Sequence, residues 1–177
     1  TTTTSLLIAA LDGAGASPSF ASGGELADRG TNADWHADSP FVIEADESDG
    51  SFLVYHPHVA AITNVQPDHL DFYGTFDNVR AAYAAFAATV PPGGLVVAFA
   101  DDEGSNALAA QVSDRRVLTY GHALHADLVI LESALASTGS TTTFRDPAGA
   151  ERTMTLAVPG AHNVLNACAA YLCATEG

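Results

Sequence analysis

A chain of 177 residues, 47% of them apolar, is long enough to close one domain around a sizeable core. Six arginines, no lysine and 21 acidic residues give a formal charge of −15, a balance that excludes nucleic acid and anionic membrane surfaces as natural partners. No apolar run approaches the ~20 residues that cross a bilayer, and Cys168 and Cys173, five apart in one helical pattern, face different directions, so a reducing, cytoplasmic location is expected. Without lysine, phosphate chemistry among these residues must rest on metals, helix N-termini or arginines.

In chain order, residues 1–11 place Leu7, Ile8 and Leu11 at helical spacing and predict a helix stopped by Gly13 and Gly15. A helix that opens on four threonines, with neither cap nor strand before it, reads as the second half of a motif. Residues 18–24 suggest a short strand. Residues 25–39 are polar and rich in Gly and Asp, with Thr31 and Asn32 among them, and read as a surface loop. Strands are expected over 41–46 and 59–65, joined by a segment around 52–55. Thr75 caps a predicted helix over 76–90, with Phe76, Val79, Tyr83, Phe86 and Val90 in one stripe and Asp77 in its first turn. The continuous apolar run 95–100 fits a strand covered on both faces. A helix from 101 to about 112 and a strand over 116–120 complete a β-α-β-α-β rhythm, the signature of a parallel sheet with right-handed crossovers. Apolar or β-branched runs at 128–131, 140–144 and 152–158, the last two separated by Asp146-Pro-Ala-Gly149, predict a small antiparallel sheet appended near the C-terminal end. A helix burying Val164, Leu165, Cys168 and Leu172 closes the chain. The fold class expected is α/β, a mostly parallel P-loop/Rossmann-like sheet with flanking helices.

Two of these strands break into acid at their C-terminal ends, where open α/β sheets bind ligands. Residues 41–43 run into Glu44, Asp46, Glu47 and Asp49; residues 59–65 run into Asp68, His69 and Asp71. Carboxylates and one imidazole there suit a divalent cation such as Mg²⁺ or Mn²⁺. A single histidine after a strand equally serves as a hydrogen-bonded structural residue, and Glu44 as a strand end turned to water. His162, Asn163 and Asn166 open the last helix, the asparagines three apart on one face. Their amides suit the edge of a purine, or else cap the helix with His162 as a lid.

Several blocks, in order, resemble the central ATPase domain of the Mur ligases: Thr1-Thr-Thr-Thr-Ser, Gly23-Gly-Glu-Leu with Gly30-Thr-Asn, Glu44-Ala-Asp-Glu-Ser-Asp-Gly-Ser-Phe52, Asn64-Val-x-x-Asp-His-x-Asp-x-Tyr-Gly74, and Pro159-Gly-x-His-Asn-x-x-Asn166. Within that family they are most similar to the alanine-adding branch. The resemblance implies an ATP-dependent carboxylate–amine ligase of peptidoglycan (cell wall) biosynthesis. ATP phosphorylates the lactyl carboxylate of UDP-N-acetylmuramate, and the amine of L-alanine displaces phosphate. It further implies that Thr1, with Thr2 beside it, meets the nucleotide phosphates, and that Thr1 and Glu44 ligate the first Mg²⁺. His69 would hold a second metal, and His162, Asn163 and Asn166 the adenine. Thr31, Asn32, Glu47 and Ser48 would lie toward the sugar substrate.

The chain also departs from the family. The Gly-rich phosphate loop ending in Gly-Lys, expected just before Thr1, is absent, and the helix over 76–90 carries Arg80 where some relatives place a modified lysine. The expectation is one middle domain, 1–177, of a three-domain enzyme whose UDP-binding and C-terminal domains lie elsewhere, with negligible turnover alone. A metal-dependent hydrolase using the acidic/His site, or a non-catalytic nucleotide-binding domain, are the alternative readings.

Overall fold

A computed structural model describes residues 1–177. Helix α1 (Thr2–Gly13) opens on threonines, which are weak helix formers, yet Leu7, Ile8 and Leu11 pack on Phe20, Leu26 and Val42, so packing overrides propensity. Those partners belong to β1 (Ser19–Leu26) and β3 (Phe41–Ile43), which with β2 (Thr31–Asp34) form a three-stranded sheet in the order β2-β1-β3. β1 runs parallel to β3 and antiparallel to β2.

The stretch 25–39 is therefore not one loop. The amides of Arg29 and Gly30 both return to the Leu26 carbonyl, Gly30 takes φ +64°, and Leu26 pairs with Thr31 across a hairpin. β2 is an edge strand with no fully buried residue, so it lacks the apolar alternation by which a strand is recognised. β3 and β4 (Val59–Ile62) are shorter than expected. The segment between them includes a 3₁₀ turn, Ser51–Val54, which buries Phe52 against the rings of Tyr83 and Phe86.

After β4 comes a single helical turn, α2 (Leu70–Tyr73), then α3 (Phe76–Thr89), whose Thr75 cap accepts the Asn78 amide at 3.3 Å. β5 (Leu95–Phe99), α4 (Glu103–Gln111), β6 (Arg116–Gly121), β7 (Leu128–Ala136), β8 (Gly139–Arg145), β9 (Glu151–Leu156) and α5 (Ala161–Glu176) follow. The six strands β4 to β9 lie side by side in chain order, parallel from β4 to β7 and antiparallel from β7 to β9. The antiparallel strands thus continue the parallel sheet through β7 instead of forming a sheet of their own. The Asp146 carboxylate fixes the β8–β9 turn by accepting the Ala150 amide at 2.8 Å.

β5 explains the core. Val96 faces a cluster with Phe52, Val79, Phe86 and Leu108, while Leu95 and Val97 face Val164, Cys168 and Leu172 of α5. Both sheet faces are covered, so the strand is apolar throughout. Burial of each such side chain stabilises the fold by ~1.5–3 kcal/mol before its entropic cost.

The two sheets do not pair with each other. β3 bonds only to β1, and β4 only to β5. Residues from both strands line one cavity of about 530 Å³. α1 borders that cavity through Thr1, Thr3, Thr4 and Leu7, and also packs along α5.

Candidate active site

Glu44 follows β3 directly, its amide bound to Ala21 O at 2.9 Å. Its carboxylate meets the start of α1: Thr1 Oγ1 donates to Oε1 at 2.7 Å, and the Thr1 ammonium lies 2.8 Å from the same oxygen. On the other side the Gly23 amide donates to Oε2 at 2.7 Å and Ser22 Oγ at 3.3 Å. A Cβ on Gly23 would sit 3.2 Å from Oε2, so glycine permits this approach. Burial alone would raise the Glu44 pKa. The hydrogen bonds from the Thr1 ammonium, the Thr1 hydroxyl and Gly23 outweigh it and bring the value down to about 2. The site is a carboxylate that accepts from the Thr1 hydroxyl on one oxygen and from the Gly23 amide on the other.

The acidic loop after Glu44 divides its carboxylates by task. Asp46 accepts the Ser48 amide at 2.8 Å and Asp49 the Ser51 amide at 2.9 Å, so both are occupied in shaping turns. Hydrogen bonds from those serines hold both below the ordinary carboxylate range. Glu47 instead turns toward His69, whose Nε2 lies 3.6 Å from its Oε1 and 4.0 Å from Asp68 Oδ2. His69 itself has φ +51°, a left-handed conformation held because its carbonyl accepts the Phe72 and Tyr73 amides of α2. Tyr73 then donates its hydroxyl to Glu47 O at 2.5 Å, tying the two loops together.

The expected residues separate into three places. Thr1, Glu44, Glu47, Ser48 and His69 all line the cavity between the sheets. Thr2 is exposed and outside it. Thr31 and Asn32 lie on β2, beyond β1 from Glu44, with the Thr31 hydroxyl donating to Ala33 O at 2.9 Å. His162, Asn163 and Asn166 are in the first two turns of α5, whose N-cap is Gly160 and not an asparagine. The His162 ring lies over Gly160, where a Cβ would be 2.6 Å from Cε1. Asn166 reaches back to α1, its Oδ1 accepting the Thr3 hydroxyl at 3.0 Å.

No three His, Cys, Asp or Glu side chains converge on a metal-sized point. The acidic cluster is thus not an all-protein cage but two partial sites, Thr1 with Glu44 and His69 with Glu47. Hard oxygen donors from a hydroxyl and a carboxylate fit Mg²⁺, which keeps several waters and shares phosphate ligands. The imidazole–carboxylate pair fits Mg²⁺ or Mn²⁺ as a weaker half-site. Ser22, Gly23, Thr3 and Tyr73 join the site without having stood out as ligands. All but Ser22 lie within the motif blocks that carry the family resemblance.

A profile of the Mur ligase middle domain matches residues 1–174. UDP-N-acetylmuramate–L-alanine ligase from Kineococcus radiotolerans is 48% identical over 178 residues, 99% of this chain and 37% of that protein. The ligase of the same name from Mycobacterium marinum is 46% identical over 183 residues, 99% of this chain and 38% of its own. The crystal structure of UDP-N-acetylmuramate–alanine ligase from Thermotoga maritima superposes with a TM-score of 0.82 at 28% identity, covering 98% of this chain and 38% of that one. The chain therefore spans little more than a third of the length of the relatives it matches.

Proposed function

This chain belongs to the Mur ligase middle-domain family, and we propose that it is the ATP-handling core of a ligase joining L-alanine to UDP-N-acetylmuramate. The observation that carries the proposal is the clamp at the start of α1, where the Thr1 hydroxyl meets the ionised Glu44 carboxylate at 2.7 Å. A helix N-terminus favours anions through its free amides and dipole, so polyphosphate at that end would face the clamp.

In the proposed reaction the lactyl carboxylate oxygen attacks the γ-phosphorus of ATP, the bond to the β-phosphate oxygen breaks, and ADP leaves. The L-alanine amine then attacks the acyl carbon of the resulting acyl phosphate. Phosphate leaves with the electron pair, and the amine gives up a proton. Two anions must meet in line, and Mg²⁺ held by Thr1 and Glu44 would neutralise that repulsion and orient the phosphates. Glu44 keeps the Thr1 hydroxyl turned toward the same point. Glu47 orients the His69 ring, and Tyr73 fixes Glu47 by its backbone. Asn163 and Asn166 present amides for the adenine edge, and Thr31 and Asn32, on the projecting hairpin, lie toward the sugar.

The domain division belongs to the same proposal: further domains of the complete enzyme grip the UDP moiety and deliver L-alanine. The cavity between β3 and β4 supports it. The facing edges of β3 and β4 are both unpaired, and the cavity of about 530 Å³ between them leaves room for a further strand. Such a strand, ending beside Thr1, would merge the two sheets and bring a phosphate loop to the clamp.

Two measurements test this. The complete polypeptide should form UDP-N-acetylmuramoyl-L-alanine with equal release of ADP and phosphate, while residues 1–177 alone should show negligible turnover. ATP·Mg²⁺ titrated into both should bind the longer chain far more tightly. ATP-independent hydrolysis by the 177-residue chain would overturn the proposal in favour of a metal-dependent hydrolase.

A further inference from the structure

The two oxygens of Glu44 are held differently. Oε2 accepts the Gly23 amide at 2.7 Å and the Ser22 hydroxyl at 3.3 Å, whereas Oε1 accepts the Thr1 hydroxyl at 2.7 Å. An ionised carboxylate only accepts, so Ser22 must donate, and Glu44 is its one hydrogen-bond partner although Ser22 is only 8% exposed. Both donors come from one irregular stretch. β1 loses its register with β2 between Ala21 and Leu26, and its last rung to β3 is the bond from the Glu44 amide to Ala21 O at 2.9 Å. Beyond that rung the Gly23 amide takes the Glu44 side chain in place of a backbone carbonyl. Ser22 and Gly23 stand outside the cavity between the sheets, while Thr1 and Glu44 line it. Oε2 is therefore engaged from the wall side, with two donors for its two lone pairs, and Oε1 is the oxygen offered beside the Thr1 hydroxyl.

We infer that Ser22 and the Gly23 amide make Glu44 a one-oxygen ligand and so set the cation preference of the site, toward Mg²⁺ and against Ca²⁺. The inference rests on the reading of Thr1 and Glu44 as the Mg²⁺ site proposed above. Mg²⁺ demands a near-ideal octahedron with ligands at ~2.1 Å. The two oxygens of one carboxylate subtend too narrow an angle to fill adjacent corners of it, so Mg²⁺ takes a single oxygen and loses nothing to the clamp. Ca²⁺ gathers about six to eight oxygens at ~2.3–2.6 Å in flexible geometry, and gains from a carboxylate that offers both. With Oε2 engaged, the larger ion must forgo a ligand or break the hydrogen bonds that hold it. Ser22 and Gly23 discriminate without touching the cation, which makes them positioning residues and not ligands.

The test uses the complete polypeptide and a non-hydrolysable ATP analogue, adenylyl imidodiphosphate, titrated calorimetrically in saturating Mg²⁺ or saturating Ca²⁺. The readout is the ratio of the two Kd values, which needs no turnover. Ser22→Ala removes one of the two donors on Oε2 and should shrink the preference for Mg²⁺ about fivefold, by tightening binding in Ca²⁺. A purely structural role for Ser22 would lower Tm, or weaken binding in both ions alike, without moving the ratio, and that outcome overturns the inference. A ratio that falls only because binding in Mg²⁺ weakens overturns it too. Glu44→Ala separates this failure from failure of the Mg²⁺ reading: if it leaves the Kd in Mg²⁺ unchanged, the Thr1–Glu44 assignment itself falls. If it weakens binding in Mg²⁺ while Ser22→Ala keeps the parent ratio, only the clamp falls. Should Ser22→Ala not fold, Gly23→Ala sets a Cβ 3.2 Å from Oε2 and 3.3 Å from Cδ, pressing the carboxylate off its donors, and an unchanged ratio there also overturns the inference.

Discussion

Asp102 joins the loop that carries His69 to the helix behind it, and its removal has a cost that can be worked from three contacts. Its Oδ1 accepts the Ser105 amide at 2.8 Å, capping α4, and also the Val65 amide at 2.9 Å; its Oδ2 lies 3.3 Å from Gln66 Nε2. Losing the cap in Asp102→Ala costs ~1 kcal/mol. Val65 is 3% exposed, so its amide is orphaned away from water, at ~1–3 kcal/mol. The Gln66 contact is exposed and adds little. The sum is about 3 kcal/mol, or a fall in Tm of ~6–12 °C for a chain of this size. Asp102→Asn retains an oxygen for both amides and should cost less than ~1 kcal/mol. Scanning calorimetry on both variants, with hydrogen exchange at the Val65 amide, checks the reasoning. A Tm for Asp102→Ala within about 2 °C of the parent, with Val65 still protected, would refute it.

Gly104→Ala in the first turn of α4 should destabilise, although alanine normally stabilises a helix over glycine by ~1 kcal/mol, because the new Cβ would sit 2.0 Å from Val65 O; a raised Tm would contradict that packing. In the complete enzyme Glu44→Ala should cripple turnover and be partly rescued by raised Mg²⁺, and an absence of rescue at any concentration would count against a ligand role. In residues 1–177 alone, where the Thr1 ammonium donates to it, Glu44 has its folded pKa lowered from 4.5 to about 2, so its stabilising effect there is present above about 4.5 and lost as the pH falls toward 2. The Tm gap between the chain and Glu44→Gln should therefore close on acidification, and a widening gap would show the sign to be wrong. Burial pushes both the Cys168 and Cys173 thiols up to about 12, leaving roughly one part in ten thousand as thiolate at about pH 8. Cys168, fully buried, should not react with a disulfide reagent until the chain is unfolded, whereas Cys173 is half-buried and lines the cavity; rapid labelling of Cys168 in the native protein would disprove its burial.

What the sequence makes legible is what repeats along it. The stripe of α3, its Thr75 cap, the doubly covered β5 and the Asp146–Gly149 turn all declare themselves within a few residues, because helical period, capping and turn chemistry are local. β2 does not, since an exposed edge strand buries too little to impose alternation. α2 is one turn long, and what sustains it is the left-handed His69 and the bond from Tyr73 to Glu47, neither of which has a periodic signature. The site divides in the same way. Glu44 and His69 stand out as acid or imidazole at strand ends, but the pairing of Asn166 with Thr3 links opposite ends of the chain. Nor does any pattern announce that β3 and β4 belong to different sheets with a gap between them.

That gap has a consequence for the chemistry. Glu44 is carried by the three-stranded sheet and His69 by the loop leaving the six-stranded one, and no backbone ladder connects the two sheets. Among the links that set one half-site against the other are the Tyr73 hydroxyl on Glu47, the His69–Glu47 approach, and the packing of α1 along α5, pinned by Thr3 and Asn166. Each such link is a side-chain contact, worth ~1 kcal/mol, whereas a shared strand would contribute paired backbone bonds on both edges. Alignment for in-line transfer between two anions tolerates little displacement, since misplacement by ~1 Å can cost about a hundredfold in rate. Under the proposed function, a further strand between β3 and β4 would act on catalysis twice, by bringing a phosphate loop and by joining the Glu44 and His69 regions in one rigid frame.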